Sequence, residues 1–281
     1  MKKVSIAVLV LAALNSWPGV DAANLGTGTI EADVKSDYSH ILIRRQGSMW
    51  SMNFVRDDGM EQIQTVWNMK QPHELVTQYS RLMFASYLFM PQQKQVLIVG
   101  LGGGAMIHFY EHYDKNVKVD AVEINEKVVQ LAEKYFHVRT HDNTNIITED
   151  AFQYLKTNKT RYDVIYLDAF LKPSEKTDAT GHPLNLKTIE FYKGLHEHLA
   201  PDGIVVVNLN VHQGLSDDLA TLRSAYPQVY TFRASSPNLI VVCTWEKTRV
   251  TAAALHETAK ELDRRFKATF TFQKVLERLG R

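Results

Sequence analysis

The run Gln95-Val-Leu-Ile-Val-Gly-Leu-Gly-Gly-Gly-Ala-Met106 constrains this chain more than any other stretch. A short apolar, β-branched segment reads as a buried strand, stops at a cluster of glycines, and gives way to helix-like sequence. Glycine is needed where backbone turns tightly or comes close to a ligand, because a Cβ would collide. Gly100, Gly102, Gly103 and Gly104, set between a strand and a helix N-terminus, therefore predict a nucleotide-binding turn. A second apolar run, Val117 to Ile124, delivers Glu123 near its C-terminal end. A carboxylate there accepts hydrogen bonds from both hydroxyls of a ribose.

Around this turn the chain reads as an α/β protein. Apolar runs at Val96–Val99, Val117–Ile124, Asn145–Thr148, Tyr162–Asp168, Gly203–Leu209, Val229–Arg233 and Leu239–Trp245 have the character of strands. Helical patterns fall between most of them, at Glu126–Phe136, Lys187–Leu199 and Ser216–Tyr226, which predicts a mostly parallel sheet covered on both faces. The last two strands are joined only by residues 234–238, too short for a crossover helix, so they form an antiparallel hairpin. That ending is the habit of S-adenosylmethionine-dependent transferases rather than of dehydrogenases, a likeness of fold alone. Ahead of this unit, Tyr38–Arg44, Ser48–Val55 and Gln62–Trp67 alternate around turn residues and predict β-hairpins. Pro72 is expected to open a helix carrying Leu75, Tyr79, Leu82, Met83 and Tyr87 on one face.

The N-terminus has a different character. Met1-Lys-Lys is a positive n-region, Val4–Leu14 an apolar h-region, and Val20-Asp-Ala22 offers small residues where a signal peptidase reads. Residues 1–22 are expected to be a signal peptide cleaved after Ala22, residues 23–70 a small β-hairpin domain, and residues 71–281 a Rossmann-like catalytic domain. The h-region is too short to span a bilayer, and no later stretch approaches the needed length, so no membrane association is expected after cleavage. Cys243 is the single cysteine, so no intramolecular disulfide forms; its apolar surroundings read as core. Export without disulfides fits a bacterial periplasm. With 32 basic and 31 acidic residues the net charge is +1, and no basic field points to nucleic acid.

The glycine pattern alone satisfies both the dinucleotide fingerprint and the looser form of adenosyl-sulfonium enzymes. Later acids favour the second. Asp150 follows the third strand, where its side chain can accept from an adenine amino group, and Glu149 beside it reads as a solvated loop carboxylate. Asp168 ends the apolar run Tyr162-Asp-Val-Ile-Tyr-Leu-Asp168, at the strand end where ligands sit in open α/β sheets. A lone acid there would be costly unless it opened into a cleft. An NAD-dependent oxidoreductase is disfavoured by Asp150 and the hairpin; a non-catalytic exported binding protein for a nucleoside or polyamine stays open.

Taken together, Pro72-His-Glu-Leu…Tyr79, Val96–Gly104, Val122-Glu-Ile124, Glu149-Asp-Ala151, Tyr162–Asp168 and Leu186-Lys-Thr-Ile-Glu-Phe-Tyr192 resemble the spermidine synthase (polyamine aminopropyltransferase) superfamily, most closely its divergent bacterial branch. The resemblance implies a transferase moving an aminopropyl or methyl group from S-adenosylmethionine or its decarboxylated form to a small nucleophile. It implies that the glycine turn cradles the donor's methionine-derived part, that Glu123 binds ribose and Asp150 adenine, and that Asp168 is the catalytic acid with Tyr79 beside the acceptor. It also implies a small-molecule partner and a homodimer. The chemistry requires no metal, and no His/Cys/carboxylate cluster in the sequence suggests one. His108 and His112, one helical turn apart, read as solvated.

Three departures from the family pattern stand out. Gly103 occupies the place of an Asp that engages the donor's amine, Leu171 that of a second Asp, and Ser80-Arg81 that of a His or Gln followed by Glu. Losing acids from a site for a dication removes much of its electrostatic affinity, which argues against putrescine as acceptor. Gly103 in place of Asp also makes the turn less repulsive to a donor that keeps its carboxylate.

Overall fold

The computed structural model describes residues 28–280; the expected signal peptide lies outside them. Four strands come first: β1 (Thr29–Lys35), β2 (His40–Gln46), β3 (Met49–Val55) and β4 (Glu61–Asn68), an antiparallel sheet in sequential order. Gly47 and Gly59, both at positive φ, turn the second and third hairpins where the alternating pattern breaks. β1 goes beyond the strands expected from the sequence.

Two short helices follow, α1 (Gln78–Met83) and α2 (Ser86–Phe89). The helix expected to open at Pro72 therefore starts later. Side chains capture the carbonyls that a helix from Pro72 would have used: Trp67 Nε1 donates to Pro72 O, and the Arg81 guanidinium donates to Leu75 O and Val76 O. The chain then alternates as anticipated: β5 (Gln95–Val99), α3 (Ala105–Tyr113), β6 (Lys118–Glu123), α4 (Glu126–Phe136), β7 (Thr144–Thr148), α5 (Ala151–Thr157), β8 (Tyr162–Leu167), α6 (Ile189–Gly194), β9 (Leu199–Asn210), α7 (Leu215–Ala225), β10 (Gln228–Arg233), β11 (Asn238–Thr244), α8 (Ala252–Phe266) and α9 (Phe272–Leu276). The helix expected over Lys187–Leu199 is shorter, with a 3₁₀ turn on each side of α6 and the Thr188 side chain accepting from Phe191 N at its start.

The second sheet has the order β10-β11-β9-β8-β5-β6-β7. β5, β6, β7, β8 and β9 pair in parallel, and β11 runs antiparallel to both β9 and β10. This is the Rossmann-like sheet with its terminal hairpin that the strand spacing predicts. β5 lies in the middle of the sheet and splits its side chains between two cores, as a strand of period 2 must. Val96 and Ile98 join one core with α3, α4, α8 and the small sheet; Leu97 and Val99 join the other with α5, α6 and α7. Ile41, Met52 and Trp67 of the small sheet belong to the first core, so the two sheets share apolar contacts.

Phe266, Phe270 and Phe272 pack into that core beside Phe109, and Cys243 is fully buried. His108 departs from its expected solvation: it is buried, its Nε2 lies 2.8 Å from Phe136 O, and its ring stacks on Trp67. His112 stays exposed and stacks on His73. Among the described residues no helix is long and apolar enough to cross a membrane.

Candidate active site

The chain leaves β5 for β6 and β7 on one side and returns to β8 on the other, so the C-terminal end of β5 is a topological switch point. Two backbone hydrogen bonds bring the strand ends together there: Gly100 N donates to Val122 O at 2.8 Å, and Asp168 N donates to Val99 O at 2.9 Å. Above them lies a cavity of about 620 Å³, lined by Gly100, Gly102, Gly104, Glu123, Asp150 and Asp168, with Tyr79 across from the strand ends. That volume suits a nucleoside-sized ligand.

The glycines act through the protein's own packing as much as through ligand approach. A Cβ on Gly100 (φ +96°) would stand 2.3 Å from Asp168 O, and one on Gly104 (φ +71°) 2.5 Å from Val138 Cγ2. A Cβ on Gly102, also left-handed, would stand 2.7 Å from Thr65 Oγ1. Gly103 is the exception among the expected ligand contacts, since it does not line the cavity. Its N–H donates to Thr65 Oγ1 at 2.8 Å, and a Cβ there would meet Phe136 Cδ1 at 2.8 Å and Thr65 Cγ2 at 2.9 Å. The space beside Gly103, where the resemblance implies an acid, is filled by side chains of β4 and α4.

Glu123 is buried: Oε2 accepts from Leu101 N at 3.0 Å, Oε1 accepts from Asn125 N at 2.9 Å, and the Ile124 amide also favours the charged form. Burial raises its pKa, while these amides oppose the rise. A carboxylate offers about four acceptor positions, so these amides leave acceptor capacity open to a ligand's hydroxyl groups. Asp150 caps α5, Oδ1 accepting from Phe152 N at 2.8 Å and Gln153 N at 3.3 Å, which fixes the side chain and leaves Oδ2 for a ligand donor. Glu149, expected in solvent, is half-buried and lines the cavity.

Asp168 keeps partial exposure toward the cavity, yet its carboxyl is set deep enough that loss of hydration pushes its pKa up to about 7. A hydrogen bond from Asn208 at 2.7 Å opposes that rise. Tyr79 lines the cavity and donates its hydroxyl proton to Gln64 O at 2.7 Å, which leaves its oxygen free to act only as an acceptor. Burial and the nearby Asp168 raise its pKa well above the usual phenol value, and it stays protonated.

Three contributors were not visible in the sequence. Thr65 and Gln64 come from the small sheet, and only the fold brings β4 over the glycine turn. The third is the loop after β8, where Phe170, Leu171 and Leu184 give the cavity an apolar side. The fold also gathers a cluster the sequence did not suggest: ligand atoms of Asp178, His212 and Asp218 lie within 4.8 Å of one another. Lys187 Nζ occupies its middle, 2.7 Å from Asp178 Oδ2 and 2.6 Å from Asp218 Oδ2. A single side-chain ammonium thus bridges the two carboxylates of the cluster.

A switch-point cavity with a glycine turn, a buried acid ending the next strand and a terminal antiparallel hairpin defines an α/β protein of the spermidine synthase and S-adenosylmethionine-dependent methyltransferase fold. The description "Spermine/spermidine synthase domain" matches residues 76–257, and the chain belongs to that family. It is 31% identical over 215 residues to a polyamine aminopropyltransferase of Vibrio vulnificus, covering 75% of this chain and 69% of that protein. A probable spermidine synthase from Corynebacterium glutamicum superposes with a TM-score of 0.66 at 20% identity, covering 84% of this chain and 88% of that one. A spermidine synthase solved with the transition-state analogue AdoDATO gives a TM-score of 0.63 at 19% identity, covering 88% and 83%. At these identities the solved structures share the fold.

Two stability outcomes follow from the site. Gly100→Ala combines a positive-φ strain with a backbone collision and is expected to cost about 3 kcal/mol or more in urea unfolding. Gly59→Ala, at φ +80° in open space, is expected to cost roughly 1 kcal/mol. Asp168 has a folded pKa raised to about 7 from 3.8, so the folded state holds its proton more tightly than the unfolded chain. Its contribution is most favourable below pH about 4 and is lost as pH rises through about 7. Asp168→Asn should therefore stabilise the protein at pH 8 by roughly 1–3 kcal/mol and hardly at all at pH 4. Equal effects at both pH values would refute a buried, reluctantly ionised carboxyl.

Proposed function

We propose that this chain is a transferase moving an aminopropyl group from an adenosyl-sulfonium donor to an amine, with Asp168 as the base. The observation that carries the reading is the Asp168 carboxyl, pushed up to about 7, at the strand end between the glycine turn and Tyr79. Aliphatic amines, with a pKa of about 10, are protonated in water and cannot attack carbon. A carboxyl near 7 is a better proton acceptor by about 3 units than an ordinary one near 4, while still ionised for much of the time at neutral pH. Asp168 first takes a proton from the ammonium, which frees the nitrogen lone pair. That lone pair forms the new N–C bond, and the C–S bond breaks with its electrons going to sulfur. The sulfonium leaves as a neutral thioether nucleoside.

The remaining residues hold the reactants in line. Glu123 takes the ribose hydroxyls, Asp150 Oδ2 takes the adenine amino group, and the Tyr79 oxygen accepts from the acceptor amine. Relatives named polyamine aminopropyltransferases support the aminopropyl reading. One observation favours a second: with Thr65 and Phe136 filling the space beside Gly103, the turn has no acid for a donor's free amine. That suits ordinary S-adenosylmethionine and methyl transfer.

Calorimetry with S-adenosylmethionine, its decarboxylated form, methylthioadenosine and NAD separates these readings. Binding of a sulfonium ligand or methylthioadenosine is expected; tight NAD binding with none to the others would overturn both. Asp168→Asn should reduce transfer by about 10²–10⁴-fold with donor affinity nearly unchanged, whereas Glu123→Ala should weaken donor binding about tenfold or more. Transfer that survives Asp168→Asn removes that residue from the mechanism. Export is part of the proposal and rests on residues 1–22. N-terminal sequencing of the native protein should begin at Ala23, and an intact Met1 would refute it.

A further inference from the structure

Asp168 does not stand alone at its strand end. β8 and β9 run parallel with Leu167 beside Val207, so the next residues along, Asp168 and Asn208, are neighbours. Asn208 is 2% exposed, and its Nδ2 donates to Asp168 Oδ1 at 2.7 Å. Its Oδ1 accepts from Asn238 Nδ2, 3.1 Å away on β11, and the same amino group donates to Asn210 Oδ1 at 3.0 Å. Asn238 Oδ1 in turn accepts from Ser236 Oγ at 2.7 Å. Three strands thus carry one chain of donors and acceptors that ends on the carboxyl.

The polarity of that chain follows from the groups themselves. An ionised carboxylate only accepts, so the atom of Asn208 facing it is the amino nitrogen. The amide oxygen must then face Asn238, whose own amino group is required by both Asn208 and Asn210. Turning the Asn208 amide over would set two amino groups against each other and leave buried atoms unmatched, a costly arrangement. Asp168 Oδ1 is therefore occupied by a donor that cannot reorient cheaply, and Oδ2 is the oxygen that stays available.

We propose that Asn208 is a positioning residue that holds Asp168 Oδ1 as a fixed acceptor, so that Oδ2 takes the proton of the attacking amine. The proposal rests on the transfer reading above and specifies which oxygen acts in it. Oδ2 takes the ammonium's proton, the freed nitrogen lone pair forms the N–C bond as the C–S bond breaks toward sulfur, and Oδ1 keeps its bond from Asn208 throughout. The same hydrogen bond favours the charged carboxyl against the burial that disfavours it. Other titratable groups facing the cavity are Tyr38, Tyr79, Glu123, Glu149, Asp150, Glu175 and Lys176. Tyr79, the one among them whose own shift involves Asp168, stays neutral.

The test uses Asn208→Leu, which keeps the bulk and removes the donor, and Asn238→Ala, which leaves Asn208 in place and frees its amide. In protein labelled with ¹³C at aspartate carboxyls, the Asp168 signal is assigned by its loss in Asp168→Asn. Asn208→Leu should raise its titration midpoint by about one pH unit, and Asn238→Ala should raise it by less. With the donor and amine that the wild-type protein turns over, kcat should fall about tenfold to a hundredfold in Asn208→Leu. Donor KM should hold, and the acid limb of the pH profile should move up with the carboxyl. An Asp168 midpoint unmoved in both variants overturns the proposal, whatever happens to rate. A wild-type protein that turns over no donor overturns the transfer reading instead, because the carboxyl titration is read without turnover. Should Asn208→Leu fail to fold, Asn238→Ala alone decides: a raised midpoint supports the relay, an unmoved one refutes it.

Discussion

The close approach of Gly100 to the backbone of Asp168 is the constraint on which the rest of the site depends. No residue with a Cβ fits where such an atom would stand 2.3 Å from a carbonyl oxygen. With glycine there, the ends of β5 and β8 close against each other, and the glycine turn is locked to the strand that carries Asp168. Relative placement of reacting groups is worth several kcal/mol of barrier, and a displacement of an ångström can forfeit much of it. Here that placement is held by main-chain contact rather than by side-chain packing, which deforms more easily.

The small sheet is part of the same construction. Thr65 holds the Gly103 amide, Gln64 anchors the Tyr79 hydroxyl through its carbonyl, and the shared apolar core ties both to α3 and α4. Asn125 at the start of α4 reinforces the link through its amide to Ser36 and Ser39. The N-terminal strands therefore form one wall of the cavity and cannot be removed without opening it. On the opposite side, the Lys187 bridge between Asp178 and Asp218 connects the loop after β8 to α7; burial raises the Asp178 pKa, but hydrogen bonds from Lys187 and Thr180 together bring it down to about 2.

Much of this was legible in the sequence. The glycine turn, Glu123, Asp150 and Asp168 each sit at the end of a strand marked by apolar, β-branched residues, and period and spacing are local properties. The short link between the last two strands forced their antiparallel pairing. What could not be read was contact between elements remote in sequence. Thr65 beside Gly103, Asn208 beside Asp168, and Lys187 between two carboxylates are brought together only by sheet order and packing. The helix expected at Pro72 failed for the same reason, because its carbonyls are bonded by side chains from Trp67 and Arg81. His108 looked like a surface residue by type, and its burial against Trp67 depends on the small sheet covering α3.

The filled space beside Gly103 bears on how such a turn can change over generations. An acid introduced there would collide with Phe136 on one side and Thr65 on the other. Those residues belong to a helix and a strand far apart in the chain, and each has other work: Phe136 in the core, Thr65 on a backbone amide. An acid at position 103 therefore needs Phe136 and Thr65 to give way as well. The residue this turn can carry is set by a helix and a strand remote from it in sequence, so the three positions are free to change only together.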